Sequence, residues 1–411
     1  MTVSLSAKLL SALFKVQDYS IDDVEIDCNK IYLFMHSLKP SRCSKCHKII
    51  DNGYYDKRRR LIYLGSSHCR AVYGVVNIKR LSCPECGILT EYQTLYKGKS
   101  HHSRYVGSLI TAHSKYLDNV AISKLLSISP SKVYRIDRQE LAKQITKYKE
   151  SVPVIEEACV DEVSFKRNHN YATVLCNQKD SKVIWLEKNR KQESLEELYK
   201  KFPNQLSQLK TVSMDFWQPY EAVTRKKFPK AKIVYDRFHL SRILNRHIEE
   251  ERRAYQKELP DKERISIKKH TRWLLLRRKE NQSETGLQRL QELRESNQFL
   301  YDMYLLKEDF LSIFNSKNSR KNAEKYILDW ITLVRNTSFN SLKSFCNKVM
   351  KRLKTILNWF DNQISNGLAE GINNVIKSLL KRGYGYKDFE YFRMKVLQRC
   401  GYLNFHSTHT F

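Results

Sequence analysis

Val154-Ile-Glu-Glu-Ala-Cys-Val-Asp-Glu-Val-Ser-Phe165 opens the run of elements that decides the fold. Polar and apolar residues alternate along it, the period-two signature of a strand in a sheet. Two further strand-like runs follow at once, Asn170-Tyr-Ala-Thr-Val-Leu-Cys-Asn177 and Ser181-Lys-Val-Ile-Trp-Leu-Glu-Lys188. The pattern then switches. Glu193–Pro203 reads as helix, Lys210-Thr-Val-Ser-Met-Asp-Phe216 as strand, Pro219–Pro229 as helix and Ala231–Phe238 as a fifth strand. Three strands in succession predict an antiparallel meander, and the alternating elements behind them predict a mixed α/β sheet. Ser151-Val-Pro153 marks its start, because proline disfavours helix in the residue before it.

Outward toward the N-terminus, residues 103–149 carry a helical period. Val120, Ile122, Leu125 and Leu126 are the expected buried face of a middle helix. Ser127-Ile-Ser-Pro130 supplies a turn, with Ser129 as N-cap and Pro130 in the first helical position. The next helix buries Val133, Ile136 and Leu141 and shows Ser131, Lys132, Tyr134, Arg135 and Arg138, groups suited to base edges and phosphates. This is the pattern of a helix-turn-helix. Further upstream lie Cys43-Ser-Lys-Cys46 and Cys83-Pro-Glu-Cys86. Two such knuckles place four thiolates for one tetrahedral Zn²⁺, which closes a module too small to build a large core. Two strand-like runs between them, Arg58–Gly65 and Cys69–Leu81, form a ribbon with the knuckles at its base. The competing readings are redox cysteines or a site that recruits His47, His68 or Cys69. Cys28, Cys159 and Cys176 sit in apolar runs and are expected in the core.

The chain has 411 residues and a net charge of +30. A protein that basic usually faces a polyanion, since phosphate binding releases condensed counterions. Clusters at Lys57–Arg60, Arg225–Lys227 and Arg277–Lys279 spread the charge along the chain and favour a long DNA track over one small patch. Mean hydropathy is −0.58 and no stretch resembles a membrane span, so no membrane is expected as a partner. The ten cysteines do not form a secreted disulfide framework, and the expected compartment is a reducing cytoplasm.

Two strand acids stand out. Asp161 shares a strand face with Cys159 and Val163, while Glu162 points the other way. A carboxylate among apolar neighbours is costly unless it is paired or bound to metal. Asp215 ends a second apolar strand. If the first and fourth strands are neighbours, as in the ribonuclease-H-like plan that this element order follows, the two carboxylates converge. A third acid lies far downstream in Ser365-Asn-Gly-Leu-Ala-Glu-Gly-Ile-Asn-Asn-Val-Ile-Lys377. There Leu368, Ile372, Val375, Ile376 and Leu379 form an apolar stripe opposite Glu370, Asn373, Asn374, Lys377 and Lys381. Phosphodiester attack by water or a 3′-hydroxyl calls for two hard cations, and Mg²⁺ (or Mn²⁺) prefers carboxylate and water ligands.

Taken together, the knuckles, the helix-turn-helix, Val160-Asp-Glu162, Ser213-Met-Asp215, Tyr235-Asp-Arg-Phe-His239 and the Ser365–Lys377 motif resemble the bacterial insertion-sequence transposases of the ISL-three family. The last motif, with Lys381-Arg-Gly-Tyr-Gly-Tyr386 behind it, carries the resemblance furthest. The resemblance implies a DDE triad that falls on Asp161, Asp215 and Glu370, and cleavage and strand transfer at terminal inverted repeats. Asp236 is the rival second acid; Asp236, Arg237 and His239 are expected to support the site or touch DNA, as are Asn373, Lys377, Lys381 and Arg382.

The expected organisation is therefore a zinc-knuckle module over residues 1–100, a helix-turn-helix over 101–150 and a catalytic domain in two parts, 151–240 and 363–411, split by a helical insertion over 241–362. Trp273, Trp330 and Trp359 of that insertion are expected mostly in its core. Double-stranded DNA and a second copy on paired ends are the expected partners, at the nucleoid. A non-catalytic regulator or decayed copy that keeps end binding is the alternative, and a junction-cleaving nuclease on the same fold is a third reading. The retained acids favour an enzyme, and the two-part front end favours sequence-specific ends.

Overall fold

The computed structural model describes residues 5–51, 54–166, 170–261, 264, 271–315, 317–362 and 367–403, and omits the side chains of 5, 6, 54–57, 166, 362, 368 and 369. Ser365, Asn366 and the side chains of Lys57 and Leu368 therefore lie outside the described residues. The chain forms two compact units, Met1–Ser151 with Ser378–Phe411, and Val152–Lys377.

The first unit begins with α1 (Leu5–Leu13) and the strands β1 (Tyr19–Ile26), β2 (Lys30–Ser37), β3 (Tyr54–Ser67), β4 (Arg70–Cys83) and β5 (Gly87–Thr90). They pair in the order β1-β2-β4-β3, with β5 also on β4. The long β3–β4 ribbon turns through His68 and Cys69, both left-handed (φ 47° and 63°), the backbone that a two-residue hairpin loop with the natural strand twist requires. Cys28 is exposed beyond the end of β1, so its apolar surroundings misled the sequence reading, whereas Cys159 and Cys176 are buried as expected.

Three helices follow: α2 (Arg104–Ser114), α3 (Asn119–Leu126) and α4 (Pro130–Ile145), then the short α5 (Tyr148–Ser151). Asp118 caps α3, and the Ser129 side chain accepts from Lys132 N–H at the start of α4 behind Pro130. Val106, Ile110, Ile122, Leu126, Val133 and Ile136 bury one face of the trio against the ribbon residues Tyr63 and Ala71. Val120 and Leu125 are exposed, contrary to expectation. Ser123 takes part in the buried face of α3 instead, because its hydroxyl donates to the Val120 carbonyl and satisfies itself locally.

The second unit holds β6 (Glu157–Lys166), β7 (Asn170–Asn177), β8 (Lys182–Lys188), α6 (Gln192–Lys201), β9 (Thr211–Met214), α7 (Gln218–Lys227) and β10 (Lys232–Tyr235). The sheet order is β10-β9-β6-β7-β8. β6, β7 and β8 form the expected antiparallel meander, and β9 lies parallel to both β6 and β10. The fourth strand thus neighbours the first. On one side of the sheet α7 is fixed by Tyr220, whose hydroxyl meets that of Thr173 at 2.8 Å.

The helical block comprises α8 (Arg237–Glu258), α9 (Thr271–Leu276), α10 (Glu284–Ser296), α11 (Gln298–Ile313), α12 (Arg320–Arg335), α13 (Asn340–Lys351) and α14 (Leu353–Asn362). Phe310, Trp330 and Phe345 form its aromatic centre, with ring centroids 4.7–6.0 Å apart. Trp330 and Trp359 are buried and Trp273 is exposed. Phe339 cannot cap α13 with its side chain, so the Glu251 carboxylate of α8 accepts from Asn340 and Ser341 N–H at 3.1 and 2.6 Å. Asn358 of α14 donates to the Ile233 carbonyl at 2.8 Å and covers the edge strand β10.

Two last helices are α15 (Gly367–Arg382) and α16 (Phe389–Cys400). The sequence reading groups residues 363–411 with the sheet, yet Ser378–Phe411 belongs to the first unit. The reason is a buried polar seam. Asp137 of α4 is fully buried and accepts from Ser114 (2.7 Å), Tyr391 (2.7 Å) and Lys395 (3.3 Å). Gln398 adds a further bond, donating to the Thr111 carbonyl at 2.7 Å. Tyr391, Lys395 and Gln398 lie at i, i+4 and i+7, so one face of α16 meets this seam.

Candidate functional site

The parallel strands set the geometry of the acids. In register, Val160 pairs with Met214 and Met214 with Tyr235. Asp161, Asp215 and Asp236 each follow these residues by one position, so three carboxylates stand in one row across three adjacent strands, just past the carboxyl ends of β9 and β10 and midway along the longer β6. The residues just before the acids, Val160, Met214 and Tyr235, are all buried.

Asp215, Asp236 and His239 offer donor atoms that all lie within 4.8 Å of one another. His239 Nε2 is 2.9 Å from Asp215. It sits in the first turn of α8, whose N-cap is Asp236: the Asp236 carboxylate accepts from Phe238 N–H at 3.1 Å. Burial lowers the His239 pKa, but the bond to Asp215 and the charges of Asp215, Asp236 and Asp161 outweigh it, and the net shift is upward. Asp236 is raised, by burial first. For Asp161, burial and then the Asp215 charge push the carboxyl up to about 7. An acid row this crowded favours a bound cation or a shared proton.

Asn373 of α15 donates to Asp161 Oδ2 at 2.6 Å, and Glu162 N–H donates to Oδ1 at 2.7 Å. Glu370 lies three residues before Asn373 on the same helix, with its side chain exposed. The structure thus brings α15 to Asp161 through Asn373. Among the described residues, neither Asp161 nor Glu370 is part of the close group of Asp215, Asp236 and His239. Glu162 faces the opposite side of the strand, as alternation requires, with Arg190 3.7 Å away. Asn373's bond to Asp161 was not foreseen. Helical spacing puts it on the face of Glu370 but does not say which of the two reaches the strand.

The four cysteines also gather. Cys43, Cys46, Cys83 and Cys86 present sulfurs all within 4.8 Å, with Cys46 and Cys83 3.6 Å apart. One knuckle turns through His47 (φ 60°) and the other at the β4–β5 hairpin, where Cys83 pairs with Gly87 (φ 75°). Ile50, Leu81 and Leu89 pack around them. Backbone N–H groups of Cys46 and Lys45 hold the Cys43 thiol down to about 6, while burial and the neighbouring sulfurs push Cys86 up to about 12. The rival donors are elsewhere: the His47 ring is edge-on to Tyr92 at 4.7 Å, and His68 and Cys69 form the far tip of the ribbon. The cluster can hold a zinc ion.

The remaining polar candidates divide by what they touch. Ser131 and Arg135 of α4 are exposed, and Lys132 lies over the Tyr63 ring at 4.9 Å. Tyr134 and Arg138 instead donate to Asp388 at 3.2 and 2.8 Å. Lys377 and Lys381 are exposed, whereas Arg382 donates to the carbonyls of Lys115 and Tyr116 at the end of α2. Arg237 turns to the Phe314 carbonyl (3.4 Å) and the Trp359 ring (5.9 Å) within the helical block. Asp388 was the unseen partner, since nothing in the sequence pairs residues 250 positions apart.

Comparison with known proteins fits these observations. The family model for ISL-three DDE transposases, described as "Transposase", matches residues 158–396. The transposase for insertion sequence element IS1001 of Bordetella parapertussis is 27% identical over 402 residues, covering 95% of this chain and 98% of that protein. The transposase for insertion sequence element IS1557 of Mycobacterium tuberculosis is 23% identical over 252 residues, 56% of each chain. Among solved structures, the Drosophila P element transposase strand transfer complex aligns at 10% identity and a TM-score of 0.36 over 73% of this chain and 92% of that one, too weak a likeness to define a fold. On the family match and the near full-length relative, the chain belongs to the ISL-three family of DDE transposases.

Proposed function

We propose that the chain binds the terminal inverted repeats of an insertion sequence and catalyses metal-dependent cleavage and strand transfer of DNA. The carrying observation is the register row, in which Asp161, midway along β6, and Asp215, just past the end of the parallel β9, stand side by side. In this reading the sheet is ribonuclease-H-like, interrupted by the helical block, and α2–α4 is a helix-turn-helix. Asp161, Asp215 and Glu370 are the metal ligands. The donor set is oxygen-rich and over-negative, which fits Mg²⁺ or Mn²⁺. When bound, the cations activate the attacking hydroxyl and steady the leaving oxygen.

The chain's own groups prepare that site. Asn373 fixes one oxygen of Asp161 and leaves the carboxylate oriented. His239 Nε2 lies 2.9 Å from Asp215, whose charge raises the His239 pKa, and the imidazole offsets part of the row's charge when protonated. Asp236 anchors the first turn of α8 and so positions His239. Lys377 and Lys381 on the exposed side of α15 offer charge to a DNA backbone. Zn²⁺ on the four cysteines is structural. Two copies on paired ends are the working form. Incubation of the protein with Mg²⁺ and labelled DNA carrying the element's own ends should give 3′-end cleavage and joined products. End binding with no cleavage under Mg²⁺ or Mn²⁺ would reduce the chain to a binding protein.

A further inference from the structure

The tip of the β3–β4 ribbon is locked to the turn between α3 and α4, and it has no role in the core. The last carbonyls of a helix lack intrahelical partners. Here the ribbon supplies them: Tyr63 donates to the Leu126 carbonyl and Ser66 to the Leu125 carbonyl at 2.6 Å. In return Ser127, the left-handed cap of α3, donates to the Cys69 carbonyl at 3.1 Å. Tyr63 and Ala71 share one buried cluster with α2, α3 and α4, so ribbon and helices are packed together. The residues of the tip itself, His68, Cys69 and Arg70, are all exposed.

Charge gives this end of the sheet a direction. Arg70 Nε donates to the Cys28 carbonyl at 3.2 Å, which fixes the guanidinium stem at the tip. The outer strand β1 carries exposed Asp22, Asp23 and Glu25, which repel a polyanion. A duplex approaching this end meets exposed cations at Arg70, at Lys30, whose register partner on β4 is Ala71, and at Lys124 and Arg135 of α3 and α4. We propose that His68-Cys69-Arg70 is a second DNA-contacting element, a wing held beside α4, with Arg70 on a phosphate that flanks the groove entered by α4. The proposal rests on the helix-turn-helix reading of α2–α4. It assigns the ribbon two ends with separate tasks, since the knuckles close the opposite one.

The test uses the full chain, a duplex of the element's own end, and Arg70→Ala, Arg70→Glu and His68→Ala beside Arg135→Ala. Each site is exposed, and thermal unfolding checks that each variant folds. Arg70→Ala should weaken binding severalfold, lower the slope of log K against log salt by roughly 0.9, and keep the sequence preference. Arg70→Glu should weaken it further, and both should lose hydroxyl-radical protection beside the α4 contact. Parent-like slope and footprint for the Arg70 and His68 variants, with weakened binding for Arg135→Ala, would overturn the wing and leave the helix-turn-helix standing. Unchanged binding in all four would remove both readings. Loss with Arg70 variants alone would keep the wing and reassign the recognition helix.

Discussion

At the scale of single residues, the acids differ in what they hold. Asp161, Asp215 and Glu370 replaced by Ala should each abolish cleavage and joining while end binding survives, because each loss removes a proposed ligand. Glu162→Ala should be milder, since it points to the other face of the strand and toward Arg190. Asp236→Ala should retain some Mn²⁺-dependent cleavage and lose about 1 kcal/mol of stability with its cap. Full strand transfer by Asp215→Ala with none by Asp236→Ala would exchange their roles. His102 gives a pH signature in the first unit. Burial, then the charge of Lys132, lowers its pKa to about 4. Above the ordinary value near 6.5 the imidazole is neutral in both states. As pH falls toward 4 the unfolded chain takes up a proton that the folded chain refuses, so stability declines, by up to about 3 kcal/mol before solvent screening. His102→Gln should flatten that decline in urea melts between pH 6.5 and 4; an unchanged slope would reject it. The two strand acids were legible because a charged residue inside an apolar alternation is conspicuous. Asn373 and Asp388 were not, because a polar residue on a helix face gives no sign of which distant group it will meet.

Among elements, the ones with strong local chemistry were legible. Ser129-Pro130 specifies the start of α4 by cap and fixed φ, and the two C-x-x-C pairs specify the knuckles by ligand spacing. The buried face of α3 was less so. Its helix is eight residues long, too short for periodicity to choose between Val120, Leu125 and Ser123. The knuckles carry their own prediction. Structural Zn²⁺ in small modules contributes on the order of 10–16 kcal/mol, so Cys43→Ser should release the metal and unfold the knuckle end. The sheet of the second unit should keep its melting transition, read by calorimetry beside metal analysis. A native protein with four freely titrating thiols and no zinc would reject the site.

Over the whole molecule, the order of elements was legible and their grouping was not. The order of elements follows from the switch of period along residues 154–238, which local pattern encodes. That α16 joins the first unit follows from side chains more than 250 positions away from their partners, which no window of sequence contains. The consequence is testable by truncation. Removing residues 389–411 takes Tyr391 and Lys395 from Asp137, and it strips Phe392, Val396 and Leu397 from the buried surface. Asp137 would be left as a buried charge with only Ser114 on it. Breaking a buried pair from one side costs about 3–5 kcal/mol. Burial has already drawn the Lys395 pKa down to about 8, a sign of how little water reaches the seam. The truncated chain should therefore lose end binding and show early proteolysis in α2–α4, although the sequence of that trio is intact. In the full-length chain Lys395→Met alone should cost stability by leaving the Asp137 carboxylate without its cation, and adding Asp137→Leu should recover part of that loss, since the unpaired charge is gone while Ser114 and Tyr391 lose their acceptor. A truncated protein that binds its ends with parent affinity and melts at the parent temperature would show that the first unit is complete without its last helix.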